Sequence, residues 1–125
     1  MSKTFEEQVK ILQKTLNIPY NEAKEKMIVY NSTDEDEDGK LIISSNFLKV
    51  IKYMKFKENY DTLLSITAEK QKNYFELEYR LKSKTNEYIN LYTHVKDRNQ
   101  SITCLYKNAV KFEEEIDKKF DIIFY

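Results

Sequence analysis

At 125 residues, with 21 basic and 21 acidic side chains and a pI near 6.6, the chain is long enough for one domain with one core and lacks the basic excess of a general nucleic-acid binder. A single cysteine, Cys104, excludes an internal disulfide and fits a reducing compartment. Apolar runs stop at four residues, as in Met27–Tyr30, so no stretch is expected to span a bilayer, and the polar, acidic opening reads as lacking a secretory signal. One Gly and one Pro leave no room for a glycine-rich phosphate loop or a low-complexity linker, while ten Tyr and seven Phe favour a sheet-rich half.

Residues 1–26 read as an N-terminal helical segment. Phe5, Val9, Leu12 and Leu16 make one apolar stripe over Lys3–Leu16, with Glu6, Glu7, Lys10 and Lys14 facing water. Thr4 and Glu7 have capping-box spacing, and Asn17 and Pro19 end the helix. A second short helix is expected over Tyr20–Lys26, with Asn21 as its cap. Residues 27–45 read as a hairpin, with strands at Met27–Asn31 and Lys40–Ser44.

Between those strands lies Asp34-Glu35-Asp36-Glu37-Asp38-Gly39, which has the form of the first half of a calcium loop. Asp34, Asp36 and Asp38 are therefore candidate metal ligands. The twelfth position, which should be a bidentate acid, is Ser45. The alternative is a solvated turn around Asp-Gly, itself a hairpin signal.

Residues 46–56 read as a helix capped by Ser45 or Asn46. Phe47, Val50, Ile51 and Met54 form its buried stripe and Lys49, Lys52 and Lys55 its basic outer face. Residues 61–95 read as a three-strand antiparallel meander over Asp61–Ala68, Tyr74–Leu81 and Glu87–Val95. In the second strand Phe75, Leu77, Tyr79 and Leu81 alternate with Glu76, Glu78 and Arg80. In the third, Ile89, Leu91 and Val95 point inward, and Tyr88, Asn90, Tyr92 and His94 outward. Residues 101–125 read as a turn, a helix with Ala109, Phe112, Ile116 and Phe120 on one stripe, and a closing strand at Ile122–Tyr125. The order predicts a single α+β domain, a mainly antiparallel sheet with helices packed on one face.

The C-terminal segment carries a family resemblance. Ser101, Ile102, Leu105, Tyr106 and Ala109 lie on its first half, and Phe112 stands directly before an acidic run. Glu113, Glu115, Ile116, Phe120, Ile122 and Phe124 follow without a gap. Upstream, Asp61, Leu63, Leu64, Ile66, Thr67 and Ala68, and then Tyr79 and Leu81, fit two strands of the same pattern. Over about Leu41–Tyr125 the chain resembles the 30 kDa subunit family of complex I, the respiratory NADH dehydrogenase. Its shortness makes it most similar to the small member of that family found in energy-converting nickel–iron hydrogenases of the Ech type. It departs from the pattern at Glu114, where the family has Arg, at Lys118, where it has Asp, and at Asp121, where it has Gly. In many members the pattern goes on into a basic, proline-containing tail, which this chain is expected to lack.

The resemblance implies a non-catalytic subunit of a membrane-bound complex-I-like oxidoreductase, cytoplasmic and held to the membrane through its partners. It would brace the large catalytic subunit against the small iron–sulfur subunit. It would bind no cofactor itself, with iron–sulfur clusters and, in the hydrogenase type, nickel–iron held by those partners. Tyr106, Phe112, Glu113, Glu115, Phe120 and Phe124 are the expected subunit interface. No catalytic set is evident. One histidine, His94, and one cysteine, Cys104, could form a nucleophilic or redox pair, but no third orienting residue accompanies them. One cysteine cannot hold an iron–sulfur cluster. The carboxylates Glu113, Glu114, Glu115 and Asp117 read as a solvated face or a docking surface. The other reading is a stand-alone binding module with a cation site in the acidic loop.

Overall fold

In the computed structural model, which describes residues 3–125, the first helix starts where the capping pattern puts it. Helix α1 spans Phe5–Leu16; the Thr4 hydroxyl accepts the Glu7 N–H at 3.2 Å, and Asn17 ends the helix in the left-handed region at φ 52°. Helix α2 corrects the sequence reading. It spans Tyr20–Ser32, so Met27–Asn31, expected as a strand, is its second half. The run Met27–Tyr30 has strand propensity, but Ile28 and Val29 are half-buried along the helical surface that faces the next helix. Propensity differences of under about 0.7 kcal/mol per residue yield to such packing.

A hairpin forms, but only its second strand is where it was expected; the first lies further on, partly in the acidic stretch. Strand β1 (Thr33–Glu35) pairs antiparallel with β2 (Leu41–Ile43), and Gly39 occupies the turn at φ 79°, a conformation that side chains with a Cβ rarely adopt. Helix α3 (Phe47–Phe56) buries Phe47, Val50, Ile51 and Met54, the expected stripe. Its start differs from the capping expectation. Asn46 sits in the left-handed region, and its Nδ2 donates to the Ser32 hydroxyl at 3.0 Å instead of capping its own helix.

Strands β3 (Thr62–Lys70), β4 (Phe75–Lys82) and β5 (Tyr88–Val95) form the antiparallel meander. A register shift between Leu63 and Ser65 lets both Leu63 and Ile66 face the core although they are three residues apart. The sheet order is β1-β2-β5-β4-β3, with β2 parallel to β5. The chain therefore leaves β2, one strand in from the β1 edge, crosses as α3, and enters at the far edge as β3. Such a crossover needs the length a helix supplies.

A second sheet has two parallel strands, β6 (Arg98–Asn99) and β7 (Ile123–Phe124). The closing strand is thus present, shortened, and paired with a strand the sequence reading did not assign. The Ser101 N–H extends the pairing by donating to the Tyr125 carbonyl at 2.7 Å. Helix α4 (Ala109–Phe120) lies between them in the chain and packs on β3. One core holds the inner faces of α3 and α4 against Leu63, Ile66, Leu77, Tyr79, Leu81 and Leu91 of the sheet, which makes the fold the expected α+β type with helices on one face. At its centre Tyr79 is fully buried; its ring packs 5.1 Å from Phe47 and its hydroxyl accepts the Asn99 side-chain amide at 3.0 Å. Helix α1 packs chiefly on α2 and buries only Val9.

Candidate functional site

The C-terminal segment divides its expected interface residues between core and surface. Tyr106 is 4% exposed and donates its hydroxyl hydrogen to the Tyr60 carbonyl, while burial pushes its phenol pKa upward. It is a core residue. Phe112 and Phe120 are half-buried, and the Phe120 ring lies 5.3 Å from Phe75 of β4. Phe124 is half-buried against the core as well.

Glu113 is the main correction in this segment. Expected among the water-facing positions, it is 6% exposed. One carboxylate oxygen accepts the Ser101 hydroxyl at 2.7 Å and the other accepts the Ile102 N–H at 2.9 Å. Ala109, Glu113 and Ile116 step by four and three, so Glu113 lies on the buried stripe itself. The spacing carried this signal; the charge concealed it. Glu113 pins the 101–103 turn to α4. Of the expected contact set only Glu115 is exposed. The segment also presents Val110, Ile123 and Tyr125, exposed at 46%, 53% and 69%, which the sequence reading did not single out as contacts.

The outer face of the sheet carries a polar network. Lys40 donates to Glu76 Oε1 at 3.0 Å, and His94 Nε2 lies 3.0 Å from Glu76 Oε2. The His94 ring packs 4.5 Å from Tyr74, and the Tyr92 hydroxyl donates to Glu78 at 2.7 Å. Burial would raise the Glu76 pKa, but the hydrogen bonds from Lys40 and His94 outweigh it and hold the carboxyl below its ordinary value. The hydrogen bond to Glu76 in turn raises Lys40. These alternating side chains were legible from the strand period; that Lys40 reaches across to them from the hairpin was not.

The remaining candidates are not brought together. Asp36 Oδ1 accepts the N–H groups of Asp38 and Lys40, at 3.0 and 2.8 Å, so it organises its own turn. Among the described residues no three His, Cys, Asp or Glu side chains are grouped as they would be around a metal ion, those of Asp34, Asp36 and Asp38 included. His94 and Cys104 are also apart. His94 sits on the outer face, on the rung shared by Glu69 and Glu76 near the end of β3. Cys104 is exposed in a turn anchored on the helix side near the start of β3, through Tyr106 on Tyr60 and the Asn108 amide on the Leu63 carbonyl.

The pattern of the family described as "Respiratory-chain NADH dehydrogenase, 30 Kd subunit" matches residues 41–125, from β2 to the final strand. The chain belongs to that family. Its members are subunits of complex-I-like oxidoreductases, and the matched part is the crossover, the meander and the α4–β7 closure. Helices α1 and α2 and strand β1 precede it. No curated protein matches the sequence. No described helix is long and apolar enough to cross a membrane.

Proposed function

We propose that this chain is a non-catalytic brace in a membrane-bound complex-I-like oxidoreductase of the energy-converting nickel–iron hydrogenase type. It holds the large catalytic subunit against the small iron–sulfur subunit from the cytoplasmic side and binds no cofactor of its own. Its contribution is to fix the separation of its partners' redox centres and to exclude water between them.

The observation that carries this reading is the C-terminal edge. Sheet β6–β7 has only two strands among the described residues, so β7 keeps an open side, and Ile123 and Tyr125 stand exposed there. An unpaired strand edge bearing apolar side chains is suited to extension by a partner chain. The buried acid Glu113, the core phenol Tyr106 and the paired Glu76 are all engaged in internal bonds, which supports a structural role.

The test is co-purification of the tagged chain from its own cells, with mass spectrometry of its companions. Nickel–iron and iron–sulfur subunits are expected with the native chain and are lost from an Ile123→Asp, Glu115→Lys double variant whose isolated domain unfolds as the native one does. A native chain that emerges alone overturns the brace reading.

A further inference from the structure

A groove between α2 and α3 lies away from the C-terminal edge and has no part in the brace reading. It encloses about 330 Å³, with Ile28 and Val29 on one wall and Tyr53 and Phe56 on the other. Phe56 remains 57% exposed at its mouth. Lys49 and Lys52 of α3 stand on the rim, and among the described residues neither is in an ion pair. Lys57 meets only Glu25, at 3.9 Å, with both side chains about half exposed. The next lysine of the helix, Lys55, is occupied by the Leu105 carbonyl. The groove therefore joins an apolar floor to two lysines, Lys49 and Lys52, that no acid among the described residues pairs, while Glu25 answers Lys57.

We propose that this groove docks an acidic segment of a partner protein. An aliphatic or aromatic side chain of that segment seats on Ile28, Val29 and Phe56, and flanking carboxylates meet Lys49 and Lys52. The apolar anchor supplies the affinity, and the charges set the orientation and reject basic competitors. A membrane surface suits the site less well. The floor is recessed instead of protruding, so it suits an inserted side chain better than a flat lipid surface. One wall of the groove comes from α2, which precedes the family-matched residues, and the other from α3, which lies within them. It is thus a surface that the family's common core does not provide by itself. The proposal does not rest on the brace reading: it states the chemistry of the docked segment and not the assembly that the segment belongs to.

The experiment places a photo-reactive phenylalanine at Phe56 in the full chain, expressed in its own cells, and a second at Ile123 as a separate probe. Phe56 is exposed enough to accept the change without loss of the fold. After irradiation of the native assembly, cross-linked segments are sequenced. The expected Phe56 product is a segment of a different protein with Asp or Glu flanking a large apolar residue. Lys49→Glu with Lys52→Glu should lower its yield roughly tenfold, and acid-to-lysine changes in the captured segment should restore it. A product with lipid, with a second copy of this chain or with a segment lacking acids overturns the proposal, as does no product. If Ile123 alone captures complex-I-like subunits, the groove proposal fails and the brace reading stands. If Phe56 alone captures an acidic segment, of an unrelated protein, the brace reading fails and the groove proposal stands.

Discussion

Helices α1 and α4 look alike on paper and behave differently in the fold. Each has 12 residues, an apolar stripe at helical spacing and lysine in its last turn. Helix α4 removes Ala109, Glu113 and Ile116 from water and closes the core. Helix α1 buries Val9 alone, and leaves Phe5 and Leu16 exposed at 39% and 44%. An amphipathic stripe says that a face can be covered. What covers it depends on the partner: α4 meets a five-stranded sheet, α1 only another helix whose own polarity is scarcely one-sided. The division coincides with the family boundary, since α4 lies within residues 41–125 and α1 outside them.

The comparison is sharpest at neighbouring acids of α4. Glu113→Lys puts a cation where two donors point into a buried site, and should lower the unfolding free energy by about 3–5 kcal/mol. Glu115→Lys, two residues on and exposed, should stay within about 0.5 kcal/mol while weakening assembly. Urea midpoints of both variants check this, and equal losses would mean that Glu113 is not held as described.

The next test sets the helices against each other. Ile116→Ala should lower global stability by about 3 kcal/mol. Val9→Ala should change it by no more than about 1 kcal/mol and instead speed amide exchange across α1, because the helix opens locally. If Val9→Ala costs as much as Ile116→Ala, then α1 unfolds with the core and the contrast collapses.

Lys40 ties the hairpin, at the border of the two regions, to Glu76 of the sheet. The folded pKa of Glu76 lies below its ordinary 4.5, so its contribution to stability is full above 4.5 and is lost as the pH falls from there through the folded pKa. The native chain should therefore melt higher than Glu76→Gln at about pH 7, and the gap should narrow as the pH falls below 4.5 and through the lower folded value. A gap that persists in acid would assign the effect to packing.

The smallest effect concerns the end of α4. Asp121 closes the helix in the left-handed region at φ 55°, where the family pattern has Gly. Asp121→Gly should add about 0.5 kcal/mol, because relief of backbone strain slightly exceeds the entropy glycine loses on folding. A thermal melt resolves it, and a loss would mean that the aspartate side chain has a further role.

Most of the helix and strand order was readable from period alone. The stripe Phe47, Val50, Ile51, Met54 and the alternation through Phe75–Leu81 each state their buried face, because a period of 3.6 or of 2 is set by local geometry. Three features were not readable. Met27–Asn31 has strand composition and became helix by packing on α3. Strand β6 is two residues long and exists only because β7 returns beside it. Glu113 is buried because the Ser101 and Ile102 donors come to meet it.

The sequence by itself determined the α+β class, the inward and outward faces of the meander and α3, and the family. These follow from residue type and spacing along one stretch of chain. Only the tertiary structure decided that β2 joins β5 in parallel, that Lys40 answers Glu76, that Tyr106 and Glu113 belong inside, and that α2 and α3 leave a lysine-rimmed groove between them. Each of those depends on residues distant in the chain meeting in space, and burial or pairing of that kind has no period to read.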